Sequence, residues 1–394
     1  MVLTAPAATT FAGLLRHRQW RAWIPASILA RLPQAMLLLS WVVVGNARAG
    51  SLTLGATLAG LTSISAGAIA PWRGRLLDRQ DVRRAVQFEC VLTMSNLSLL
   101  LVVITARWPI WTLFVVAVAQ GWANAGTQSG LRALLVAVVP AEQLPRAHFA
   151  ESLMQEFCYV IGPVLVGGLT LAGGVPVALG FMIGVAGAAA LALTRVTGLR
   201  QKPAPRSRLY RRRDIRRLTA LVAVITAGID LLESNVPQRM SQYGLPAGAA
   251  GWFMAVVAVS SCGGGVIVSF RPLRSGGNYL RPAVLFLVFA GLNIPVVLAP
   301  NAVLYGASLL ISTLAFVPLI GFTAGEFEAR LPAGERGAGF AFMFVGIQGG
   351  GALGFLATGT LTEWVGARQM PLLVVGLFIG TAIALFAYEL ARRA

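Results

Sequence analysis

The sequence predicts an all-α integral membrane protein, with twelve transmembrane helices in two pseudo-symmetric six-helix bundles. Three observations predict it. Hydrophobic residues fill 57% of the 394 positions and charged residues only 12%, whereas a soluble domain is about a quarter charged. Twelve continuously apolar stretches punctuate the chain, each near the ~20 residues that cross a hydrocarbon core. The basic residues fall between those stretches instead of along one face.

The expected spans are 22–45, 52–72, 85–106, 109–132, 149–172, 176–196, 217–238, 248–270, 281–299, 302–325, 338–361 and 370–390. They lack the alternation of barrel strands, so helices are the spanning form. The first run follows Arg16, Arg18 and Arg21. It is too long for the apolar region of a signal peptide and reads as a retained helix that starts inside.

The net charge is +18, and all but one of the 32 basic residues are Arg. With the N-terminus inside, alternating assignment puts 27 basic residues on the inner side. Four lie outside (Arg48, Arg107, Arg239, Arg368), and Arg31 lies within a span. That asymmetry follows the positive-inside rule. It places both termini in the cytoplasm, with the chain in the inner or plasma membrane, and argues against nucleic acid as the partner of this charge. The longest polar stretch, 199–216, is rich in Pro and Arg. It reads as a basic cytoplasmic linker near anionic lipid, dividing an N-terminal bundle (1–198) from a C-terminal bundle (217–394).

The two halves resemble one another. The fifth span carries Ile161-Gly162-Pro163 followed by Gly167-Gly168; the eleventh, its counterpart, carries Gly349-Gly350-Gly351, Gly354 and Gly359. Small residues at such spacings let helix backbones approach. Duplicated halves are common in transporters that rock about a central site, although membrane packing alone also accounts for the glycines.

After the second span comes Gly74-Arg75-Leu76-Leu77-Asp78-Arg79-Gln80-Asp81-Val82-Arg83-Arg84. This resembles the signature loop of the major facilitator superfamily, in the loop where that family has it, except that Asp81 stands where the family usually has Gly. The resemblance implies a conformational latch formed by Gly74, Asp78, Arg79, Arg83 and Arg84. Asp78 can cap the third helix or pair with a basic residue nearby. The Gly162, Pro163, Gly167, Gly168 run is similar to the motif of the family's antiporters, with three residues between its pairs instead of two. Pro163 can kink the helix by removing one backbone hydrogen bond. Ala30-Arg31-Leu32-Pro33 and Ala150-Glu151-Ser152-Leu153-Met154-Gln155-Glu156 look like stretches of actinobacterial-type members.

Charges inside spans are costly and mark candidate functional groups. Arg31 and Glu156 each sit about ten residues, or roughly 15 Å, from the inner side. In the family's fold their helices share a half, so an Arg31–Glu156 ion pair is expected. It could be a permanent brace, or a switch opened by protonation or by an anionic substrate. Asp230 and Glu233 lie three apart on one face of the seventh span. Ionised together they would repel, so one should hold a proton more readily. Glu151, Glu156, Asp230 and Glu233 are the proton-coupling candidates. The family's cavity is lined by helices 1, 4, 7 and 10. Arg31, Gln34 and Trp41, with Gln120, Trp122 and Asn124, are therefore substrate-binding candidates; interhelical hydrogen bonding is the competing use of the amides. Arg132, near the inner end, is expected to pair with Asp78 or Glu151. The charged stretch Glu326, Glu328, Arg330, Glu335 and Arg336 reads as a solvated loop.

Cys90, Cys158 and Cys262 are scattered within apolar runs and show neither metal spacing nor a disulfide framework. His17 and His148 have no ligand partner at a useful spacing. No phosphate-binding loop, nucleophile elbow or zinc motif is present, so no cofactor, metal or enzymatic activity is expected. The resemblance implies a monomeric, proton-coupled secondary transporter, an antiporter exporting an amphipathic small molecule. The alternatives are a symporter importing an anionic nutrient anchored by Arg31, and a transporter-like scaffold or lipid flippase.

Overall fold

The computed structural model of the chain describes residues 17–77, 81–140, 144–197, 211–246, 249–270, 279–330 and 336–393. Among the described residues each expected span falls largely on helix. The elements are α1 Arg18–Ala49, α2 Leu52–Leu77, α3 Val82–Thr105, α4 Trp111–Asn124, α5 Thr127–Val138, α6 Leu144–Leu193 and α7 Arg213–Gln242. They continue as α8 Ala250–Phe270, α9 Leu280–Leu292, α10 Ile294–Leu298, α11 Ala302–Thr313, α12 Phe316–Arg330, α13 Arg336–Val365 and α14 Met370–Arg393.

Among the described residues, eight helical stretches are long and apolar enough to cross a membrane by themselves. Large apolar side chains point outward along them: Leu191 is 72% exposed, Leu390 67% and Ile383 61%. Such an apolar exterior suits lipid and not water.

The helices depart from the expected spans where the backbone is broken. The fourth span is two helices, α4 and α5, separated at Ala125–Gly126. The fifth and sixth run together as α6, interrupted at Gly173 and Gly174. Gly174 has φ 78° and ψ 179°, a conformation that only glycine adopts without strain, so the turn needs it. Backbone dihedrals stay helical at Pro163, and the break in α6 comes ten residues later. The seventh span continues to Gln242, so Arg239 is a buried residue of α7 instead of a loop residue. The linker lies largely outside the described residues.

By contacts the chain falls into two compact units. One comprises residues 1–40 and 65–205, the other 41–64 and 206–394.

In the first unit the core gathers Trp20, Trp23, Val82, Val86, Leu131, Leu134, Leu135 and Leu193. Trp20 and Trp23 stack with centroids 5.2 Å apart. The Trp23 indole N–H donates to the Leu131 carbonyl at 3.2 Å, as a buried indole requires. Gly162 brings α6 onto α1: a Cβ there would sit 3.0 Å from the Ala35 Cβ. The N-cap of α3 is Asp81, not Asp78; its side chain accepts from the Arg83 amide at 2.9 Å. Asp81 immediately precedes the helix in extended conformation, and there a carboxylate reaches the free amides of the first turn. Asp78 and Arg79 lie outside the described residues.

In the second unit α13 lies along α7. Gly346, Gly350, Gly354 and Thr358 recur every four residues and so share one face. A Cβ at Gly346 would lie 2.6 Å from the Thr219 carbonyl oxygen, at Gly350 2.7 Å from Ala223 Cα, and at Gly354 2.5 Å from the Ala227 carbonyl oxygen. The stripe ends in a Thr358–Ser234 hydroxyl pair at 2.7 Å. Beyond it Phe286 and Phe289 pack against Phe378 at centroid distances of 5.2 and 5.0 Å. Segment 41–64 joins this unit through Gly60 against Leu356 and Thr57 against Gly359.

Candidate functional site

The first unit holds a charged cluster built from three helices. On α1, Ser27, Arg31 and Gln34 fall at i, i+4 and i+7, which is one helical face. On α5, Gln128 and Arg132 share a face for the same reason. Glu151 comes from the beginning of α6. Arg31 spreads its guanidinium over all three helices. Nη2 donates to Glu151 Oε1 at 2.5 Å, Nε donates to Gln128 Oε1 at 2.9 Å, and Nη1 donates to Ser27 Oγ. Arg132 Nε donates to the same Glu151 oxygen at 3.0 Å. The Gln128 amide then donates to Gln34 Oε1 at 3.1 Å. The Arg31 guanidinium also lies over the Trp23 ring, 5.8 Å from its centroid.

Arg31 and Glu151 are each 1% exposed, while the Arg132 side chain is 55% exposed. One buried carboxylate thus answers two guanidiniums, one of them able to reach solvent. A buried charge persists only when paired and hydrogen-bonded, and every nitrogen of Arg31 has an acceptor.

The partner of Arg31 is therefore Glu151, where Glu156 was expected. Five residues along a helix turn about 140°, so the two glutamates point to different sides of α6. The side chain of Glu156 lies outside the described residues. Of the two partners expected for Arg132, Glu151 is the one found.

The amides of α4 are committed to a neighbouring helix. Asn96 donates to Gln120 Oε1 at 2.7 Å, Thr93 donates to Asn124 Oδ1 at 2.8 Å, and Gln120 donates to Asn124 at 3.3 Å. Interhelical bonding, the competing reading, is what these side chains do here. Trp122 is 52% exposed and lies apart from them. Trp41 is buried, and its indole nitrogen has no hydrogen-bond partner.

In the second unit Asp230 and Glu233 are half-buried on α7. Asp230 packs where α13 is glycine: a Cβ at Gly351 would lie 2.5 Å from Asp230 Oδ2. Glu326, expected in a solvated loop, is buried in α12 and paired with Arg330 one turn on. Glu328 and Glu335 are not among the described side chains. Of the latch residues, Arg83 donates to the Thr194 carbonyl at 3.3 Å, and Arg84 is exposed. Gly74 is within helical backbone of α2, Gly167 is buried, and Gly168 faces open space.

Two functional candidates escaped the sequence reading. Ser27 is an ordinary small residue in an apolar run, and nothing in the sequence marks it. Glu89 carried a usable signal: it is a lone carboxylate inside the third span, the same criterion that picked out Asp230. It is 2% exposed and accepts from the Gly126 amide and the Thr127 hydroxyl. Among the described residues no group of three or more metal-ligating side chains comes together, and Cys90 and Cys158 are buried free thiols.

Residues 23–328 match the family model of the Major Facilitator Superfamily. No curated protein matches the sequence. Solved structures with the same fold include the POT family transporter PepTSo, at 11% identity and TM-score 0.76, covering 96% of this chain and 98% of that one. The nucleoside transporter NupG aligns at 13% identity and TM-score 0.70, over 93% and 98% of the two chains. A bacterial homologue of the iron transporter ferroportin, in its inward-facing state, aligns at 17% identity and TM-score 0.67, over 95% and 99%. These likenesses concern the fold, and their different cargoes name no substrate for this chain. The family match covers well over half of the sequence, so the chain belongs to the Major Facilitator Superfamily, and it is a transporter and not an enzyme.

Proposed function

We propose that this transporter exchanges protons for an amphipathic small molecule and exports it by alternating access. Both termini lie in the cytoplasm of an inner or plasma membrane. The observation that carries the reading is Glu151, buried within an apolar bundle and shared by Arg31 and Arg132. A proton on Glu151 removes the negative charge that two guanidiniums share, so both ion pairs become weaker bonds from a cation to a neutral acid. It frees α1 and α5 from their common tie to α6, which makes protonation a conformational signal. Asp230 is the corresponding carboxylate of the second unit, held against the glycines of α13. The apolar helix set suits an amphipathic cargo, while the residues of the loop between α2 and α3 latch one conformation.

A second reading draws on the same cluster. Two guanidiniums facing one carboxylate leave a net positive charge, and an anionic nutrient could replace Glu151 at Arg31.

The deciding experiment measures proton release when a panel of compounds is added to detergent-purified, weakly buffered protein. Wild type would be compared with Glu151→Gln and Asp230→Asn. Release that compounds trigger in wild type, and that one variant loses, supports antiport and identifies its carboxylate. Binding without release from any form removes proton exchange and leaves the anion reading.

A further inference from the structure

Glu89 belongs to neither cluster above. On α3 it begins a polar seam, Glu89, Thr93 and Asn96, set at i, i+4 and i+7 on one face. The facing side chains come from the broken fourth span. Glu89 Oε2 accepts from the Thr127 hydroxyl at 2.8 Å and from the Gly126 amide at 3.1 Å. Further along, Thr93 and Asn96 bond to Asn124 and Gln120.

The seam meets the fourth span at its break. Thr127 begins α5, and the N-cap residue Gly126 has no side chain to cap it. The first amides of a helix have no partner within it, and Glu89 supplies one from another helix. A Cβ on Gly126 would lie 3.1 Å from Glu89 Cδ, so the position keeps the carboxylate's place clear. The groups facing Glu89 come from each packed element. From α2, Arg73 Nε stands 3.8 Å from Oε1. From α5 there are the Thr127 hydroxyl and the Gly126 amide. On α3 itself lies the Cys90 thiol. From α6, the groups that meet α3 nearby are the Ala190 carbonyl, bonded to Gln87, and Gly187 against Met94. None of those α6 groups titrates.

We propose that Glu89 is a proton-binding site that sets the join between α4 and α5. Ionised, the carboxylate caps α5 and holds the start of that helix at the break. One proton from water adds to one carboxylate oxygen, no other covalent bond changes, and the side-chain charge goes from −1 to zero. The two cap bonds then lose their charge assistance, the favourable meeting of an anion with a helix N-terminus is lost, and Arg73 loses its counter-charge. The first turn of α5 opens more readily. Only the consequence for transport rests on the proton-coupled reading above, because the site itself requires no cargo.

Hydrogen–deuterium exchange on the purified full chain, read by mass spectrometry, tests this. Peptides covering 125–132 are compared with peptides from α14, each corrected for the intrinsic pH dependence of exchange. In wild type, protection at the start of α5 should fall by roughly tenfold, the scale of a lost charged cap, between about pH 8 and about pH 3.5, a range that spans the ordinary glutamate value. The α14 peptides should not change. Glu89→Gln should show the low-protection behaviour at both pH values. Thr127→Val keeps the acid and removes one bond, so it should start from lower protection and retain a smaller pH response; it serves if Glu89→Gln fails to fold. A wild-type response that is flat with pH, or one that survives in Glu89→Gln, overturns the proposal. Exchange that depends on Glu89 without compound-triggered proton release would remove the antiport reading alone.

Discussion

Arg31 and Glu151 stand 120 residues apart in the sequence and meet at 2.5 Å, each 1% exposed. The second arginine on Glu151, Arg132, is half in solvent. The pair therefore combines a fixed half and a half that solvent can compete for.

Removing the glutamate alone should be worse than removing both partners. Glu151→Met leaves the Arg31 charge buried and unmatched, which costs about 3–5 kcal/mol when a buried pair is broken. The double variant Arg31→Met with Glu151→Met removes charge and counter-charge together and should be more stable than Glu151→Met, whereas Arg31→Met alone leaves Glu151 its bond to Arg132. Thermal unfolding in detergent, followed by tryptophan fluorescence, gives the comparison. Equal midpoints for Glu151→Met and the double variant would show that the pair carries no such charge burden.

The seam between α7 and α13 predicts a contrast between adjacent glycines. A methyl group at Gly350 would press into the backbone of Ala223, whereas at Gly349 it meets nothing within 4 Å. Gly350→Ala should lower stability by about 1–3 kcal/mol, as overpacking does. Gly349→Ala should be neutral or slightly stabilising, since alanine favours helix by up to ~1 kcal/mol over glycine. Thermal midpoints and monodispersity on gel filtration distinguish the two.

Asp81 departs from the glycine usual in the resembled loop, and its bond to the Arg83 amide explains how the chain tolerates the change. Both residues make acceptable N-caps. Asp81→Gly should therefore cost only a few tenths of a kcal/mol, and Asp81→Ala about 1 kcal/mol. The order Asp, Gly, Ala in thermal stability checks this, and a Gly variant as unstable as Ala contradicts it.

Asp214, in the first turn of α7, titrates outside the spanning segment. Burial pushes its carboxyl up, but the Arg212 side-chain bonds, the Ile215 amide and the Arg212 charge together hold it below its ordinary value. A carboxyl lowered on folding stabilises the chain above its unfolded pKa and loses that contribution as pH falls through the folded value. Wild type should thus unfold slightly above Asp214→Asn near neutral pH. The gap should close below about pH 4, the ordinary range of an aspartate. It will be small, because an exposed pair is weak and screened.

Much of the molecule was legible from residue order. Apolar length gave the spans, because a helix must bring about 20 apolar residues to cross lipid whatever its neighbours are. The glycines of the eleventh span announced a close helix contact before its partner, α7, was visible. Intramembrane charge marked Arg31, Glu156, Asp230 and Glu233 for the same reason of cost. The same rule would have marked Glu89 had it been applied to the third span.

What the sequence could not determine is which side chains meet across helices. Depth along a helix can be counted, and it made Glu156 the expected partner of Arg31. Rotation about the helix and the approach of a neighbour cannot be counted, and they selected Glu151. The break between Asn124 and Thr127 falls in a polar, glycine-containing stretch of the span, but the cap beside it comes from Glu89 on another helix, which residue order does not show. Hydropathy is a property of one segment against lipid, so the sequence by itself determined the all-helical membrane class. Ion pairs, caps and the roles of Gln120 and Asn124 depend on distances between segments, and those only the tertiary structure decided.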